Sequence, residues 1–249
     1  NKMSGEKLAI LVVSCDRYSD LWPAFIELFY RYWPDCQYQL YIGSNNICCD
    51  DKRVKSICIG EDKSWTDNVR EMLSKIDTPY VLMMLEDFFL EDKVDEAKIQ
   101  GLLQYAINND IDCLRLCPLP APTKKINCDF DIGEISYKAP YCICTMPAIW
   151  KKESLLELLH PGYSAWDFEK KNSESAEGTG FKLVGSYKYY IKHHNGVERG
   201  KYYSSTVKLL KKNGIECDVS ERGVINDEGL KRKLYLKLYH AVQNLRSKI

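Results

Sequence analysis

The chain has 249 residues, 45% of them hydrophobic, which suffices for one large α/β domain with or without a small appendage. Its 35 basic side chains balance 35 acidic ones, which argues against a general nucleic-acid binder. No apolar run approaches the ~20 residues of a bilayer-spanning helix, and Asn1 to Lys7 lacks the hydrophobic segment of a secretion signal.

Leu8 to Ser14 reads as a buried strand ending at Cys15-Asp16-Arg17. Asp20 or Ser19 can cap a helix over Leu21 to Tyr32, with Pro23 in its first turn. Tyr38 to Ile42 is a second strand, closed by Gly43-Ser44-Asn45-Asn46, and Val54 to Ile59 a third. Thr66 can cap a helix over Asp67 to Ile76. The fourth strand, Tyr80 to Leu85, is wholly apolar and runs straight into two adjacent carboxylates, Glu86-Asp87. Asp95 to Asn108 reads as helix and Ile111 to Leu116 as strand. This alternation predicts an α/β, Rossmann-like domain with a mixed, mainly parallel sheet flanked by helices.

Pro118, Pro120 and Pro122 then mark a loop, and the pattern changes. Ile135 to Tyr141 and Cys142 to Ile149 read as strands of a different layer, and Glu153 to Leu159 as a short helix. Pro161 to Glu169 opens another helix, and Leu183 to Ile191 is a late, tyrosine-rich strand. Gly196 to Tyr203 is basic and glycine-bearing, a segment expected to move. Leu230 to Ser247 reads as a basic amphipathic helix, with Leu230, Leu234, Leu238 and Leu245 on one face. Such a helix either docks on the domain or lies on an anionic membrane surface.

The 11 cysteines are an odd number. Cys15, Cys58, Cys113, Cys117, Cys142 and Cys144 lie in or beside predicted strands and read as reduced core residues. Cys48-Cys49 and Cys142-x-Cys144 have poor zinc-ligand spacing. A reducing, cytoplasmic compartment is expected.

Four clusters can carry chemistry. Asp16, at a strand's carboxyl end, can accept from a ribose hydroxyl or a base N–H, or simply cap a turn, and Arg17 can add a phosphate contact. Burying Glu86-Asp87 costs on the order of several kcal/mol unless a cation or strong donors meet the pair. Mn²⁺ or Mg²⁺ is one such cation; the plainer reading is a capped turn before Glu91-Asp92. In Trp166-Asp167-Phe168-Glu169 a carboxylate can act as general base while Trp166 stacks on a sugar; the plainer reading is acids at a helix amino end. In the fourth cluster His193 or His194 can ligate metal as neutral imidazole. Arg199 and Lys201 can clamp phosphates from a loop hinged at Gly196 and Gly200, or the whole can be a solvated turn. There is no P-loop, no GxGxxG and no GxSxG.

Taken in order, Asp16, Glu86-Asp87, Asp167 and a late histidine resemble the GT-A class of nucleotide-sugar glycosyltransferases, most of all bacterial members that build capsular or lipopolysaccharide glycans. The resemblance covers roughly Lys7 to Tyr203. It implies a single GT-A-like domain over 1–229, with a nucleotide-binding half at 7–117, an acceptor half at 118–229, and the basic helix of 230–249 appended, with peripheral membrane contact open to it. It implies that Asp16 contacts the nucleoside of a nucleotide-diphosphate sugar and that Asp67, Asn68 and Arg70 add further nucleotide contacts. Glu86, Asp87 and His194 (or His193) would hold the metal. Asp167, with Glu169 as second choice, would be the base of an inverting displacement, and Tyr163 and Trp166 would position a glycan or lipid-linked acceptor. The family's two acids are usually separated by one residue, whereas here they are adjacent between Leu85 and Phe88. That departure leaves room for a metal-free route using Arg199 and Lys201. Two other classes stay open: a glycan-binding scaffold on the same fold, and a nucleotidyltransferase. The second expects a glycine- and arginine-rich loop where this chain has Ser14-Cys15-Asp16-Arg17-Tyr18-Ser19. Paired carboxylates also suit a glycosidase, but the nucleotide-like sheet argues against one.

Overall fold

The computed structural model describes residues 7–227; the helix predicted over Leu230 to Ser247 lies outside them. Strand β1 (Leu8–Val13) is buried along its whole length, as continuous apolar runs predict. A 3-10 turn (Asp16–Leu21) follows and feeds α1 (Trp22–Tyr32), which carries a proline in its first turn. Next come β2 (Leu40–Ser44), β3 (Val54–Cys58), α2 (Trp65–Leu73) and β4 (Tyr80–Leu85). Ser64, not Thr66, caps α2: its side chain accepts the Asp67 N–H, while the Thr66 hydroxyl donates to the carbonyl of His160. A short β5 (Phe88–Leu90) leads to α3 (Glu96–Asn108), capped by Asp95.

The second half holds β6 (Cys113–Arg115), β7 (Lys124–Lys125), β8 (Ile132–Glu134), β9 (Ala148–Lys151), α4 (Lys152–Leu158), α5 (Ala165–Thr179) and β10 (Leu183–Ser186). It ends with β11 (His193–Asn195), β12 (Val197–Glu198), β13 (Lys201–Tyr203), α6 (Ser204–Lys212) and β14 (Val224–Ile225).

Nine strands form one mixed sheet in the order β3-β2-β1-β4-β9-β6-β10-β8-β7. Its long ladders, β3-β2-β1-β4, are parallel, and β9 enters antiparallel between β4 and β6. Two apolar layers cover the faces. One packs α1 and α3 against Ile10, Val12, Leu82 and Met84; the other packs α2, α4 and α5 against Leu11, Val13, Val81 and Met83. Each fully buried side chain of this size contributes about 1.5–3 kcal/mol, so both faces of β1 and β4 are pinned and their polar ends cannot slip inward.

The strand predicted over Ile135 to Tyr141 is absent, and the one predicted over Cys142 to Ile149 survives only in its last two residues, which open β9. Between Ile135 and Pro147 the chain turns instead, with Tyr141 at φ 57°. The cause is the fully buried Arg115, which donates to the carbonyls of Leu119, Tyr141 and Cys142. Those carbonyls are thereby withdrawn from any ladder. The late strand also stops at Ser186 rather than Ile191. Cys113, Cys117, Cys142 and Cys144 are buried as expected, but Cys58, at the end of β3, is exposed.

Candidate functional site

Strands β1 and β4 are paired in register to their last residues, Val13 opposite Leu85. Their polar continuations, Cys15-Asp16-Arg17 and Glu86-Asp87, therefore emerge side by side at the carboxyl edge of the sheet, where open α/β sheets bind ligands. A cleft of about 490 Å³ opens there, lined by Asp16, Arg17, Asp20, Arg199, Lys201 and Arg222 among others. Four positions expected to contact a nucleotide sugar, Asp16, Arg17, Arg199 and Lys201, thus share one wall. The Asp16 carboxylate has backbone work of its own. It accepts the N–H groups of Asn45, Asn46 and Ile47 at 2.9–3.0 Å and so gathers the turn after β2. Burial pushes its pKa up, but these N–H bonds together outweigh it and hold the group below the usual range.

Arg199 and Lys201 sit on a hairpin rather than a free loop. Val197 pairs with Tyr202 and Glu198 with Lys201, so Arg199-Gly200 is a two-residue turn. Both turn residues have positive φ, 51° and 77°, the geometry that matches strand twist. The hairpin is fastened to the acidic pair. Gly196 N–H donates to the Asp87 carbonyl at 2.7 Å, and Val197 N–H to the Asp87 carboxylate at 3.3 Å. A side chain at Gly196 would meet the Phe89 ring at 2.6 Å, so Gly196 serves close approach there and not hinge motion.

Behind this wall the two acids titrate abnormally. Burial, reinforced by the charge of Asp87, pushes the Glu86 carboxyl up to about 8. Burial pushes Asp87 up to about 6, opposed by the Val197 and Gly196 N–H groups. At neutral pH Glu86 keeps its proton and the pair carries close to one negative charge.

The expected third metal ligand is turned elsewhere. In the antiparallel pairing of β11 with β5, His194 lies opposite Phe89. Its Nε2 is 2.9 Å from the Ser205 hydroxyl, which donates to Asp227, and its Nδ1 is 3.8 Å from Glu91. His193 packs on Phe88 with ring centroids 4.5 Å apart, and burial lowers its pKa to about 4. Among the described residues no group of three or more His, Cys, Asp or Glu side chains is arranged to hold a metal ion. Glu86, Asp87 and His194 are thus not brought together as a three-residue ligand set among the described residues; His194 has its nearer partner in Ser205.

The remaining predicted residues form a second group at the amino ends of α2 and α5. Asp67 accepts from Gly162 N–H at 3.1 Å, and Tyr163 N–H donates to the Thr66 hydroxyl. Asn68 bonds Asp62 and Lys63, while Arg70 donates to the carbonyls of Leu156 and Leu159. These contacts tie α2 to the α4–α5 connection, and the cleft walls do not include them. Asp167 closes a capping box with Ser164 and pairs with Lys171 at 3.0 Å. The Ser164 hydroxyl, then Lys171, depress its pKa to about 2. Glu169 accepts from the backbone N–H and hydroxyl of Thr145, both at 2.8 Å. Trp166 is 63% exposed and leans on Tyr141, ring centroids 6.1 Å apart.

Sequence reasoning missed Arg222. Its guanidinium grips Asp20 through two nitrogens, donates to the carbonyls of Gly200 and Arg17, and stacks over Tyr18 at 4.6 Å. It ties the hairpin turn to the 3-10 turn beside the cleft. Only the Gly223 beside it marked the position as a turn, and nothing in the sequence linked it to residues two hundred positions earlier.

Family models and curated protein sequences give no match to this chain. Solved structures do. The chain is similar to the mannosyltransferase PcManGT from Pyrobaculum calidifontis, described in complex with GDP-Man and Mn²⁺, with TM-score 0.51, 11% identity, and coverage of 97% of this chain and 72% of that one. A cytidylyltransferase from Leptospira borgpetersenii aligns with TM-score 0.44 and 13% identity over 84% of this chain and 95% of that one. The bifunctional IspDF from Campylobacter jejuni aligns with TM-score 0.42 and 16% identity over 76% of this chain, which spans about half of it, 52%. At these identities the likeness to the mannosyltransferase establishes the fold alone, a Rossmann-like α/β domain with a mixed, mainly parallel sheet.

Proposed function

We propose that the protein transfers a glycosyl group from a nucleoside-diphosphate sugar to a hydroxyl of a glycan or lipid-linked acceptor. The observation that carries this reading is the cleft at the carboxyl ends of β1 and β4, where Arg17, Arg199 and Lys201 line one wall beside the Glu86–Asp87 pair. With Arg222 the cations of the lining outnumber its carboxylates, Asp16, Asp20 and Glu221, and a positive mouth suits a diphosphate, whose charge grows as the sugar leaves. The divalent ion described with the mannosyltransferase has no protein-built counterpart of three ligands among the described residues. The reading gives charge neutralisation to Arg17, Arg199 and Lys201, which line the cleft. Protonated Glu86 supports the same role, because it adds no charge against the phosphates. Displacement takes place at the anomeric carbon, with Asp167, or Glu169 as second choice, accepting the acceptor's proton once acceptor binding frees it from Ser164 and Lys171. Trp166 and Tyr163 offer aromatic surface for the acceptor. Assembly of bacterial surface polysaccharide is the process this chemistry fits, at the cytoplasmic face of the membrane.

Calorimetric titration with a panel of nucleoside diphosphates, with and without Mn²⁺, tests it on wild type and Lys201→Gln. The expected result is metal-independent binding of one diphosphate, weakened about tenfold by Lys201→Gln. Failure of every diphosphate to bind would leave the glycan-binding scaffold. Binding of a nucleoside triphosphate instead, with pyrophosphate released on adding a sugar phosphate, would establish a nucleotidyltransferase.

A further inference from the structure

The turn that Asp16 gathers is bordered by two exposed thiols. Cys48 follows Ile47, whose N–H donates to Asp16, and Cys58 ends β3 opposite Ser44 in register. The two sulfurs lie 2.7 Å apart, within 1 Å of the ~2.05 Å of a disulfide bond. Further contacts keep them facing. The Ser44 hydroxyl donates to the Ile47 carbonyl at 2.6 Å, the Cys58 thiol reaches the same carbonyl at 3.8 Å, and Cys49 N–H donates to the Ser56 hydroxyl at 2.7 Å. Neither thiol belongs to the transfer chemistry above.

We propose that Cys48 and Cys58 are a reversible dithiol–disulfide site, oxidised by low-molecular-weight disulfides of the glutathione class, which sets the rigidity of the Asn45–Ile47 turn at the rim of the cleft. In the forward step one cysteine thiolate attacks a sulfur of glutathione disulfide. A protein–glutathione bond forms, the oxidant's S–S bond breaks and one glutathione thiolate leaves. The neighbouring cysteine loses its proton to solvent and displaces the second glutathione. Two protein thiols are oxidised by two electrons, and one disulfide is reduced to two thiols. The hydrogen bond with Cys58 raises the Cys48 thiol above its ordinary pKa, so exchange quickens with rising pH. The bond closes a short loop from 48 to 58 whose far limb is already anchored in the core through Val54 and Ile57. This site stands whether or not the transferase reading does.

The test uses the full reduced chain, exposed to glutathione disulfide, alkylated and mapped by mass spectrometry, as wild type, Cys48→Ser and Cys58→Ser. Wild type should give a Cys48–Cys58 cross-linked peptide. Each variant should instead accumulate a glutathione adduct on the remaining thiol, about tenfold above wild type, because the adjacent resolving thiol is gone. Persistent adducts on wild-type Cys48 or Cys58, a Cys48–Cys49 link, or two unmodified thiols would each overturn the site. Amide hydrogen exchange then reads the coupling to the cleft. Oxidation should slow the Asn45, Asn46 and Ile47 amides by about tenfold or more, and unchanged exchange would overturn that coupling.

Discussion

Two acidic centres of this molecule use the same carboxylate chemistry in opposite ways. Glu86–Asp87 is walled in by β4, β5 and the 197–202 hairpin, and burial pushes both acids up, Glu86 to about 8. Asp167 faces solvent at a helix amino end, where the Ser164 hydroxyl and Lys171 bring it down to about 2. At neutral pH the first centre shares one proton and about one charge between two acids, and the second holds a full charge with no proton. A carboxylate's charge is therefore set by burial and by which donors reach it, and under the proposed function the two centres would have different duties: the first would present less charge to an anionic ligand than two free carboxylates, the second would serve as an ionised base under restraint.

The comparison is broken most directly at Asp167. If its charge takes the acceptor's proton, Asp167→Asn lowers kcat by about a thousandfold, while Glu169→Gln, whose Oε1 still accepts from Thr145, lowers it less than tenfold. Steady-state kinetics on both variants decides, and a larger loss in Glu169→Gln exchanges their roles.

Glu86→Gln probes the buried centre through stability. The folded state keeps the Glu86 proton to about pH 8, whereas the unfolded chain releases it near the ordinary glutamate value of 4.5. Between those pH values the folded state binds more protons, so wild-type stability falls as pH rises through the window. Glutamine has no proton to lose. The variant should match wild type near pH 4 and exceed it by on the order of 3 kcal/mol above pH 8, read from urea unfolding at both pH values.

Asp87 separates fastening from metal binding. Asp87→Ala removes the acceptor of the Val197 N–H and loosens the hairpin that carries Arg199 and Lys201. Diphosphate affinity should drop about tenfold or more although Asp87 does not line the cleft. Asp87→Asn keeps an oxygen for that N–H and should bind within about threefold of wild type; a metal site would lose affinity in both variants. The pH dependence carries the same distinction with opposite signs. A bound diphosphate favours protonated Glu86 further, so affinity should fall as pH rises through about 8. Metal-mediated binding would release that proton and strengthen over the same range.

How much of this was legible in the sequence follows from the range of the interactions. β1 and β4 announced themselves as unbroken apolar runs with abrupt polar ends, since a strand buried on both faces has no alternation to blur. The hairpin did not, because Arg199 occupies a positive-φ position that its residue type does not advertise. Helix α6 was missed because it buries few residues, among them Thr206 and Leu210. The strand pairing expected over 135–147 gave way to turns around Arg115, whose hold on the carbonyls of Leu119, Tyr141 and Cys142 appears only in three dimensions. His194 read as a metal ligand because its real partners, Ser205 and Glu91, lie on other elements.

The smallest effect isolates how Asp167 is restrained. Ser164 does two things: its oxygen caps the Asp167 N–H at 3.1 Å, and its hydroxyl donates to the Asp167 carboxylate at 2.7 Å. Ser164→Ala should cost about 1 kcal/mol of stability through the lost cap. It should also move the Asp167 pKa back toward the ordinary aspartate value of 3.8, because the largest depressing contact is gone while Lys171 remains. The depressed pKa stabilises the fold above the unfolded value and is lost as pH falls toward about 2, so the variant's deficit should narrow on acidification. A base released from its strongest donor is also a stronger base. If Asp167 accepts the acceptor's proton, Ser164→Ala should therefore lower stability while leaving kcat unchanged or modestly higher. A fall in kcat parallel to the loss of stability would assign Ser164 to holding Asp167 in its working orientation, and would make the capping box part of the reaction geometry.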